Sequence, residues 1–223
     1  MQFTKLIAVG LSVFLIALAA ERFDEKIRND FFAGLMGNRE ALARAMAACE
    51  KVLEENPRHA EALVWHGAGL FSQGGEAFSS GDPDKGRSLA ARGMKEMDEA
   101  VALEPDNIGV RIPRGASLMQ ASHFISNPEM SKSLRTKGRS DYEHVHELQR
   151  ARLDKIGEHP KGELLFGIAE ASSRLGDIEK AAAFFDRIAR EMPGTPYAKR
   201  AAKWMETKSL GAADAGCIGC HVK

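Results

Sequence analysis

Four segments of this chain share one pattern, an amphipathic stretch with helical spacing that ends at a proline. The prolines are Pro57, Pro105, Pro160 and Pro193, so the spacings between them are 48, 55 and 33 residues. Proline has no amide hydrogen and its ring clashes with the preceding turn, so each one predicts the end of a helix. The last spacing is close to the roughly 34 residues of a helix-pair repeat. The first two spacings are longer, so the repeats that they span are expected to contain insertions.

The composition agrees with an all-α fold class. Good helix formers are abundant, runs of β-branched residues are few, and 223 residues are enough for one continuous core. Lys plus Arg and Asp plus Glu both count 31, which gives a formal net charge of zero. The balance argues against a dedicated nucleic-acid binder and against a polybasic membrane-surface protein.

The clearest repeat is "ELLFGIAEASSRLGDIEKAAAFFDRIAREMPGTP", in which Gly176 and Asp177 predict the turn between two helices. This segment resembles the tetratricopeptide repeat family, which has a turn glycine, a small residue, an aromatic, an apolar residue and a closing proline at these offsets. The matching residues are Gly176, Ala181, Phe185, Ile188 and Pro193. The resemblance covers about residues 24–206. It implies a TPR-like antiparallel helix-pair solenoid with a concave face for binding proteins.

The other three units match the family more loosely. Their residues at the aromatic position are Cys49, Met97 and Arg152. Cys49 shares an apolar helix face with Ala45 and Val52, so we expect a small buried side chain there. Gly67 and Gly115 stand where the family packs its two helices closely. Pro113 predicts a kink in the helix that contains Gly115.

Two insertions are predicted as loops. The first, residues 72–83, is rich in Gly and Ser and ends in Asp82 and Pro83, which predict the start of a helix. The second, residues 122–140, carries four basic side chains: Lys132, Arg135, Lys137 and Arg139. Long loops in a compact array are functional or mobile, so this cluster either meets an acidic partner or is simply solvated.

The N-terminal residues 1–20 are predicted to be a signal peptide. Lys5 precedes an apolar run of 15 residues from Leu6 to Ala20, and Ala17 and Ala19 provide the small residues of a cleavage site. The run is shorter than the roughly 20 residues of a spanning helix, and an uncleaved anchor is the alternative. We therefore expect a periplasmic or otherwise exported protein with no membrane span after cleavage.

The C-terminal tail, residues 207–223, contains the sequence C-I-G-C-H at Cys217, Cys220 and His221. C-x-x-C-H resembles the attachment motif of c-type cytochromes. The resemblance implies one covalent haem c, with thioether bonds to Cys217 and Cys220 and with His221 as the proximal ligand of the iron. Haem attachment of this kind takes place outside the cytoplasm, which agrees with the predicted signal peptide.

Three other interpretations of the tail remain. A zinc site would use both cysteines and His221 but needs a fourth ligand from elsewhere in the chain. A thioredoxin-like pair needs its first cysteine at a helix N-terminus in a βαβ unit, which this chain lacks. A plain disulfide, or a tail without function, is the third interpretation.

We expect the second ligand of a haem iron to be an upstream His or Met or a residue of another chain, or the position to be open. The candidates in this chain are His66, His123, Met130 and Met205. His144 and His146 are two positions apart and point to different faces of a helix. His59 and His159 are expected to be exposed turn residues beside prolines.

These features predict an exported monohaem c-type cytochrome on a TPR-like scaffold, which transfers single electrons and docks a protein redox partner. The alternative is a periplasmic TPR interaction or assembly factor whose tail binds metal or is incidental. An enzyme with an open haem site, such as a peroxidase, is a third class. The chain has no phosphate-binding, nucleophile-elbow or H-E-x-x-H motif, so an electron carrier or binding protein is favoured over an enzyme.

Overall fold

The computed structural model describes residues 23–211, and this part of the chain is all-α, with nine α-helices, one short 3₁₀ helix and no β-strand. The α-helices are α1 Phe23–Leu35, α2 Arg39–Glu55, α3 Ala60–Ser79, α4 Pro83–Leu103, α5 Ile108–Ala121, α6 Pro128–Gln149, α7 Glu158–Arg174, α8 Ile178–Glu191 and α9 Pro196–Thr207. The 3₁₀ helix Arg150–Arg152 follows α6. The predicted fold class is confirmed at this level.

Short polar side chains begin most of these helices. Each accepts a hydrogen bond from a backbone amide two or three residues further on. The capping residues are Asn38, Asp82, Asn107, Asn127, Asp177 and Thr195. The first amides of a helix have no partner inside it, so such a cap stabilises the helix by about 1 kcal/mol. These caps fix where each helix starts.

The helices form two layers. Helices α1, α3, α5, α7 and α9 lie side by side in chain order, and α2, α4, α6 and α8 pack behind them, each between two odd-numbered helices. Consecutive helices are joined by short connections and run antiparallel. The odd-numbered helices are therefore parallel to one another.

Polar contacts at both ends agree with this parallel arrangement. Near the start of α3 and α5, Asn107 Nδ2 donates to Glu61 Oε1 at 3.3 Å. At the opposite ends of α7 and α9, Trp204 Nε1 donates to Ser173 Oγ at 2.7 Å. All five odd-numbered helices therefore end at the same edge of the molecule.

Two clusters of buried apolar side chains follow one another along the array. The first lies among α1 to α6 and includes Phe31 and Met97, both with 1% exposure or less. The second lies among α5 to α9 and includes Phe185 and Trp204, which are fully buried. The two clusters meet at α5 and α6, which contribute side chains to both.

The predicted loop at residues 72–83 is wrong. Helix α3 continues to Ser79, and only residues 80–82 connect it to α4. The glycines that suggested a loop bring the two helices together, because a Cβ on Gly74 would lie 3.0 Å from the carbonyl oxygen of Gly86. Asp82 does cap α4, and Pro83 occupies its first turn as predicted.

The predicted loop at residues 122–140 is also wrong over most of its length. Only residues 122–127 connect α5 to α6, because Asn127 caps the helix and Pro128 begins it. Three of the four basic side chains on α6 contact other parts of the fold, and one of them, Arg135, donates to the Ser122 hydroxyl at 3.1 Å. Lys137 pairs with Asp98 at 2.7 Å, and Arg139 contacts Asp177 at 3.2 Å. The segment is therefore mostly a helix with paired basic side chains, and not the loop that the sequence predicted.

Three of the four proline-terminated helices end as predicted. Helices α2, α4 and α8 each stop two residues before Pro57, Pro105 and Pro193, respectively. The prediction is wrong at Pro160, which lies in the first turn of α7, where its missing amide costs no hydrogen bond. Helix α6 ends earlier, at Gln149. Pro113 lies inside α5, which extends on both sides of it.

The predicted signal peptide lies outside the described residues. Within residues 23–211 no helix has both the length and the apolar character needed to cross a membrane.

Candidate functional site

The three predicted haem-binding residues, Cys217, Cys220 and His221, lie outside the described residues. The structure does describe the segment that leads to them. Helix α9 ends at Thr207, and Lys208 caps it in the left-handed conformation with φ of 52°. The helix therefore ends four residues before Gly211. Leu210 is half-buried against the second core cluster and fixes the exit of the chain at the end of α9.

His66 was a candidate ligand for the haem iron, and the structure places it in the interior. Its side chain is 2% exposed, with Nδ1 2.5 Å from Glu96 Oε2 on α4 and Nε2 3.6 Å from Glu50 Oε1 on α2. Burial alone would raise the pKa of Glu96, but the neighbouring His66 and Arg92 outweigh it, so the pKa lies below its usual value. His66 ties three helices together and is not available to an iron.

His123 is engaged in a similar way. Its Nε2 lies 3.3 Å from Glu170 Oε1 on α7, and the Glu170 side chain is only 2% exposed. Arg174 donates to the same carboxylate oxygen at 3.0 Å. Burial favours a raised pKa for Glu170, and the cationic Arg174 and the His123 ring overcome it and lower the pKa. This pair joins the α5–α6 connection to α7.

Both candidate methionines are accessible. Met130, in the first turn of α6, is 55% exposed, and Met205, near the end of α9, is 37% exposed. A thioether with such exposure can approach a group from outside the fold without breaking a buried contact. Of the four residues considered as a second iron ligand, the two methionines therefore remain available.

The other histidines of the described residues also have partners. His144 Nε2 lies 2.7 Å from Asp106 Oδ1, whereas His146 lies 3.1 Å from Arg187. The two rings therefore face different neighbours, as the sequence predicted. His59 caps α3 through Nδ1, and His159 Nδ1 lies 3.0 Å from the hydroxyl of Tyr197.

Cys49 is fully buried in the first core cluster, as predicted, and its thiol is free. Burial, with the charges of Glu50 and Glu96, raises the pKa of this thiol to about 12. A thiolate is therefore scarce at neutral pH, and Cys49 is a packing residue.

A buried carboxylate on α6 was not predicted from the sequence. Asp141 has no exposed side-chain surface and accepts two hydrogen bonds of 2.7 Å from Arg114, and one of 2.8 Å from Arg111. Burial alone would lower the pKa of Arg114. The hydrogen bonds to Asp141 and the charge of Asp141 outweigh burial, so the pKa of Arg114 lies above its usual value. The group joins α5 to α6. Its charge is fully neutralised, so it is not suited to acid–base catalysis.

A long groove of about 2960 Å³ runs along the odd-numbered helices. It is much larger than the roughly 300–1,000 Å³ of a small-molecule pocket. Its walls include Trp65 on α3, Ile112 on α5 and Phe166 on α7. Trp65 Nε1 and Gln120 Oε1 are buried at this groove and have no hydrogen-bond partner within the described part of the chain. Unpaired buried polar atoms are rare and mark a place where another molecule or segment can bind.

Among residues 23–211 no group of three or more His, Cys, Asp or Glu side chains is arranged to hold a metal ion. Comparisons with protein-family models, with curated proteins and with solved structures found no match to this chain. The candidate site is therefore inferred from this chain alone. It consists of the groove and of the end of α9, which leads to Cys217.

Proposed function

We propose that this protein is an exported monohaem c-type cytochrome built on a TPR-like helical scaffold. The observation that carries the proposal is the motif of Cys217, Cys220 and His221. Two thiols three positions apart bond to the porphyrin edge, and the adjacent imidazole bonds to the iron. The bound haem supplies a one-electron redox centre, and this chain's residues hold it and shield it from water.

The surroundings of the histidines favour haem over zinc. A zinc ion bound by Cys217, Cys220 and His221 needs a fourth ligand, and a histidine in that role must come from the fold. Each described histidine already has a partner in the fold: His59, His66, His123, His144, His146 and His159. Recruiting one of them breaks a cap, an ion pair or a hydrogen bond. Haem needs no further histidine, because its iron can have methionine as the second ligand or leave that position open.

The groove fits a large, mostly apolar group. Its walls include many apolar and aromatic side chains beside charged ones, and the unpaired indole N–H of Trp65 is a ready donor to a carboxylate or carbonyl oxygen. A porphyrin has an apolar face and carboxylate side chains. The order of the helices, in pairs whose odd members line a concave groove, supports the TPR-like description of the scaffold.

A reduced-minus-oxidised visible spectrum of the exported protein tests this function. We expect the sharp absorption bands of a c-type haem, which survive denaturation because the haem is covalently bound. The matched control is the double variant Cys217→Ser/Cys220→Ser, which should keep the helical fold and lose the bands. Identical featureless spectra from both proteins would eliminate the cytochrome.

The size of the groove favours one alternative, an exported interaction or assembly factor whose tail binds metal or is incidental. A volume of about 2960 Å³ is enough to receive a segment of another protein. Under this alternative, replacing Cys217 and Cys220 by Ala leaves partner binding unchanged. Under the cytochrome proposal, the same double variant loses electron transfer.

A further inference from the structure

Two polar atoms of the groove wall, on neighbouring helices, make no hydrogen bond within the described part of the chain. They are Trp65 Nε1 on α3 and Gln120 Oε1 on α5, and both are buried. The Trp65 side chain is only 8% exposed, and both residues line the groove. A buried donor or acceptor without a partner destabilises the fold. A side-chain rotation toward a ligand in the groove therefore breaks no hydrogen bond at either atom and forms one.

The two residues lie at different levels of parallel helices. Asn107, which caps α5, donates to Glu61 in the first turn of α3, so the two helices start at the same level. Trp65 lies one turn after Glu61, whereas Gln120 lies in the last turn of α5. With a rise of about 1.5 Å per residue and about 8–10 Å between packed helices, Trp65 and Gln120 are roughly 14–16 Å apart.

The groove wall between these two residues is uncharged. The side chains that line it there include Ala68, Phe71, Ser72, Ile112, Ala116 and Ser117. The two arginines of α5, Arg111 and Arg114, donate to Asp141 on α6 instead of lining the groove. Burying an unpaired charge against such a wall is costly, so the wall selects a ligand without charged groups at this place.

A donor and an acceptor at this separation match the backbone of an extended polypeptide. Apart from proline, each residue of such a segment offers one N–H and one C=O group, and four or five residues at about 3.3 Å each cover the distance. A partner helix does not match, because its backbone groups are already paired with one another. The groove volume of about 2960 Å³ is also much larger than a pocket for a small molecule.

We propose that the groove between Trp65 and Gln120 binds an extended, uncharged segment of a partner protein. Trp65 donates to a backbone carbonyl oxygen of the segment, and Gln120 accepts from a backbone N–H four or five residues away. The inference rests on the partner docking in the function proposed above and does not require the haem. Because the two contacts are to the backbone, they tolerate many apolar and small polar side chains in the segment.

Selection from a peptide mixture tests the ligand class. The probe is a mixture of capped octapeptides whose side chains are drawn from Ala, Val, Phe, Ser, Thr and Gln. The matched control is the same mixture with every second backbone nitrogen methylated, which removes N–H donors and keeps the side chains. We expect the exported protein to retain the first mixture at least tenfold better. Equal retention of the two mixtures, or retention of neither, overturns the proposal.

The indole N–H resonances report directly on the proposed contact. The chain has two tryptophans, and Trp204 Nε1 already donates to Ser173 Oγ at 2.7 Å, so its resonance is an internal reference. When a selected octapeptide is added, the Trp65 indole proton should move downfield and the Trp204 proton should stay in place. Peptide binding without movement of the Trp65 resonance overturns the proposal.

Three variants test the two contacts separately. Trp65→Phe keeps an aromatic ring and removes the donor, and Gln120→Met keeps the size of the side chain and removes the acceptor. Each should raise the Kd of a selected octapeptide about five- to tenfold, the value of one hydrogen bond. The control Gln73→Met makes the same change on α3 at a residue that does not line the groove, and it should bind like the parent. Parent-like binding by both groove variants overturns the proposal.

A last comparison separates this inference from the cytochrome function. The Kd of the selected octapeptide should be the same for the haem-loaded protein and for Cys217→Ser/Cys220→Ser. Binding by the haem-free variant alone would assign the groove to the haem and overturn the inference. Covalent haem without peptide binding overturns the inference and leaves the cytochrome standing. Peptide binding by a parent protein without covalent haem overturns the cytochrome and supports the inference.

Discussion

The α3–α4 pair and the α7–α9 group fill their interfaces with opposite kinds of side chain. In the first, the backbones touch, because a Cβ on Gly93 would lie 2.4 Å from the carbonyl oxygen of Gly67. In the second, large rings separate the helices, and Phe185 stacks on Trp204 with ring centres 4.6 Å apart. One interface has no room for an added atom, and the other depends on the volume that its aromatic residues fill.

The difference shows how the same arrangement of paired helices can be built from helices of different lengths. Helices α3 and α4 have 20 and 21 residues, and glycines spaced along both keep them close for their whole length. Helices α7 and α8 are shorter, with 17 and 14 residues, and bury an aromatic cluster with α9. Added volume should therefore break the first interface, and lost volume should break the second.

The largest effect is expected in the aromatic cluster. Phe185→Ala removes a ring with no exposed surface and leaves a cavity, so we expect a loss of about 3–5 kcal/mol in the free energy of unfolding. The control is its neighbour Phe184, which is only partly buried. Phe184→Ala should cost about 1–2 kcal/mol. Urea denaturation measures both, and equal losses would contradict the volume-filling role of Phe185.

A smaller loss is expected where atoms are added to the α3–α4 interface. Gly93→Ala forces the two backbones apart, and we expect a net loss of about 2 kcal/mol in spite of the better helix propensity of Ala. The control, Gly75→Ala, lies on α3 where a Cβ meets nothing within 4 Å. It should stabilise the protein by up to about 1 kcal/mol. If both substitutions stabilise it, the close packing of α3 and α4 is not required.

Both regions contain a carboxylate paired with a histidine, the partly buried Glu96 and the buried Glu170, and these pairs predict sensitivity to acid. The pKa of Glu96 and that of Glu170 lie below the ordinary value of 4.5. The stability that each contributes is present above that ordinary value and is lost as the pH falls through the lowered folded-state pKa. Urea midpoints between pH 6 and pH 3 should fall less steeply in Glu170→Gln than in the parent. An unchanged slope would mean that Glu170 titrates normally.

The smallest effects are expected at the helix caps, which serve both regions alike. Asp82 accepts from Lys85 N at 3.0 Å to cap α4, and Asp177 accepts from Lys180 N at 3.3 Å to cap α8. Replacement of either by Ala should cost about 1 kcal/mol. Asp177→Asn keeps the cap and removes the charge beside Arg139, so it should cost less than Asp177→Ala. Thermal unfolding compares the two.

The regular helices could be predicted because their patterns are local. Helix α8 has apolar residues at helical spacing, an acidic cap at Asp177 and a proline two residues beyond its end, and the structure has the helix there. The turn glycine Gly176 has φ of 82°, as a tight turn requires. These signals depend only on neighbouring residues.

The errors arose where a long-range contact decides a local structure. Gly74 lies in a glycine-rich segment typical of a loop, and only its contact with Gly86 on α4 explains why it is helical. A proline such as Pro160 is compatible with the end of one helix or with the first turn of the next, and the sequence does not distinguish the two. The burial of His66 could not be predicted without knowing that Glu96, thirty residues further along the chain, lies beside it.

The candidate site was only partly visible in the sequence. Cys217, Cys220 and His221 form a motif that can be recognised from the sequence alone. Phe124 was not singled out, although a Phe within a polar segment is a signal that was available. Its exposure at the groove depends on where α5 ends, and the sequence did not predict that end.

The mass of the intact exported protein, produced together with haem-attachment machinery, tests the central claim most directly. The account predicts a chain that has lost its signal peptide and gained the mass of one haem, located on the peptide with Cys217 and Cys220. Attachment adds the thiols across two vinyl groups, so no other mass change accompanies it. An unmodified mass, or one lower by two hydrogens because the cysteines form a disulfide, would contradict the account.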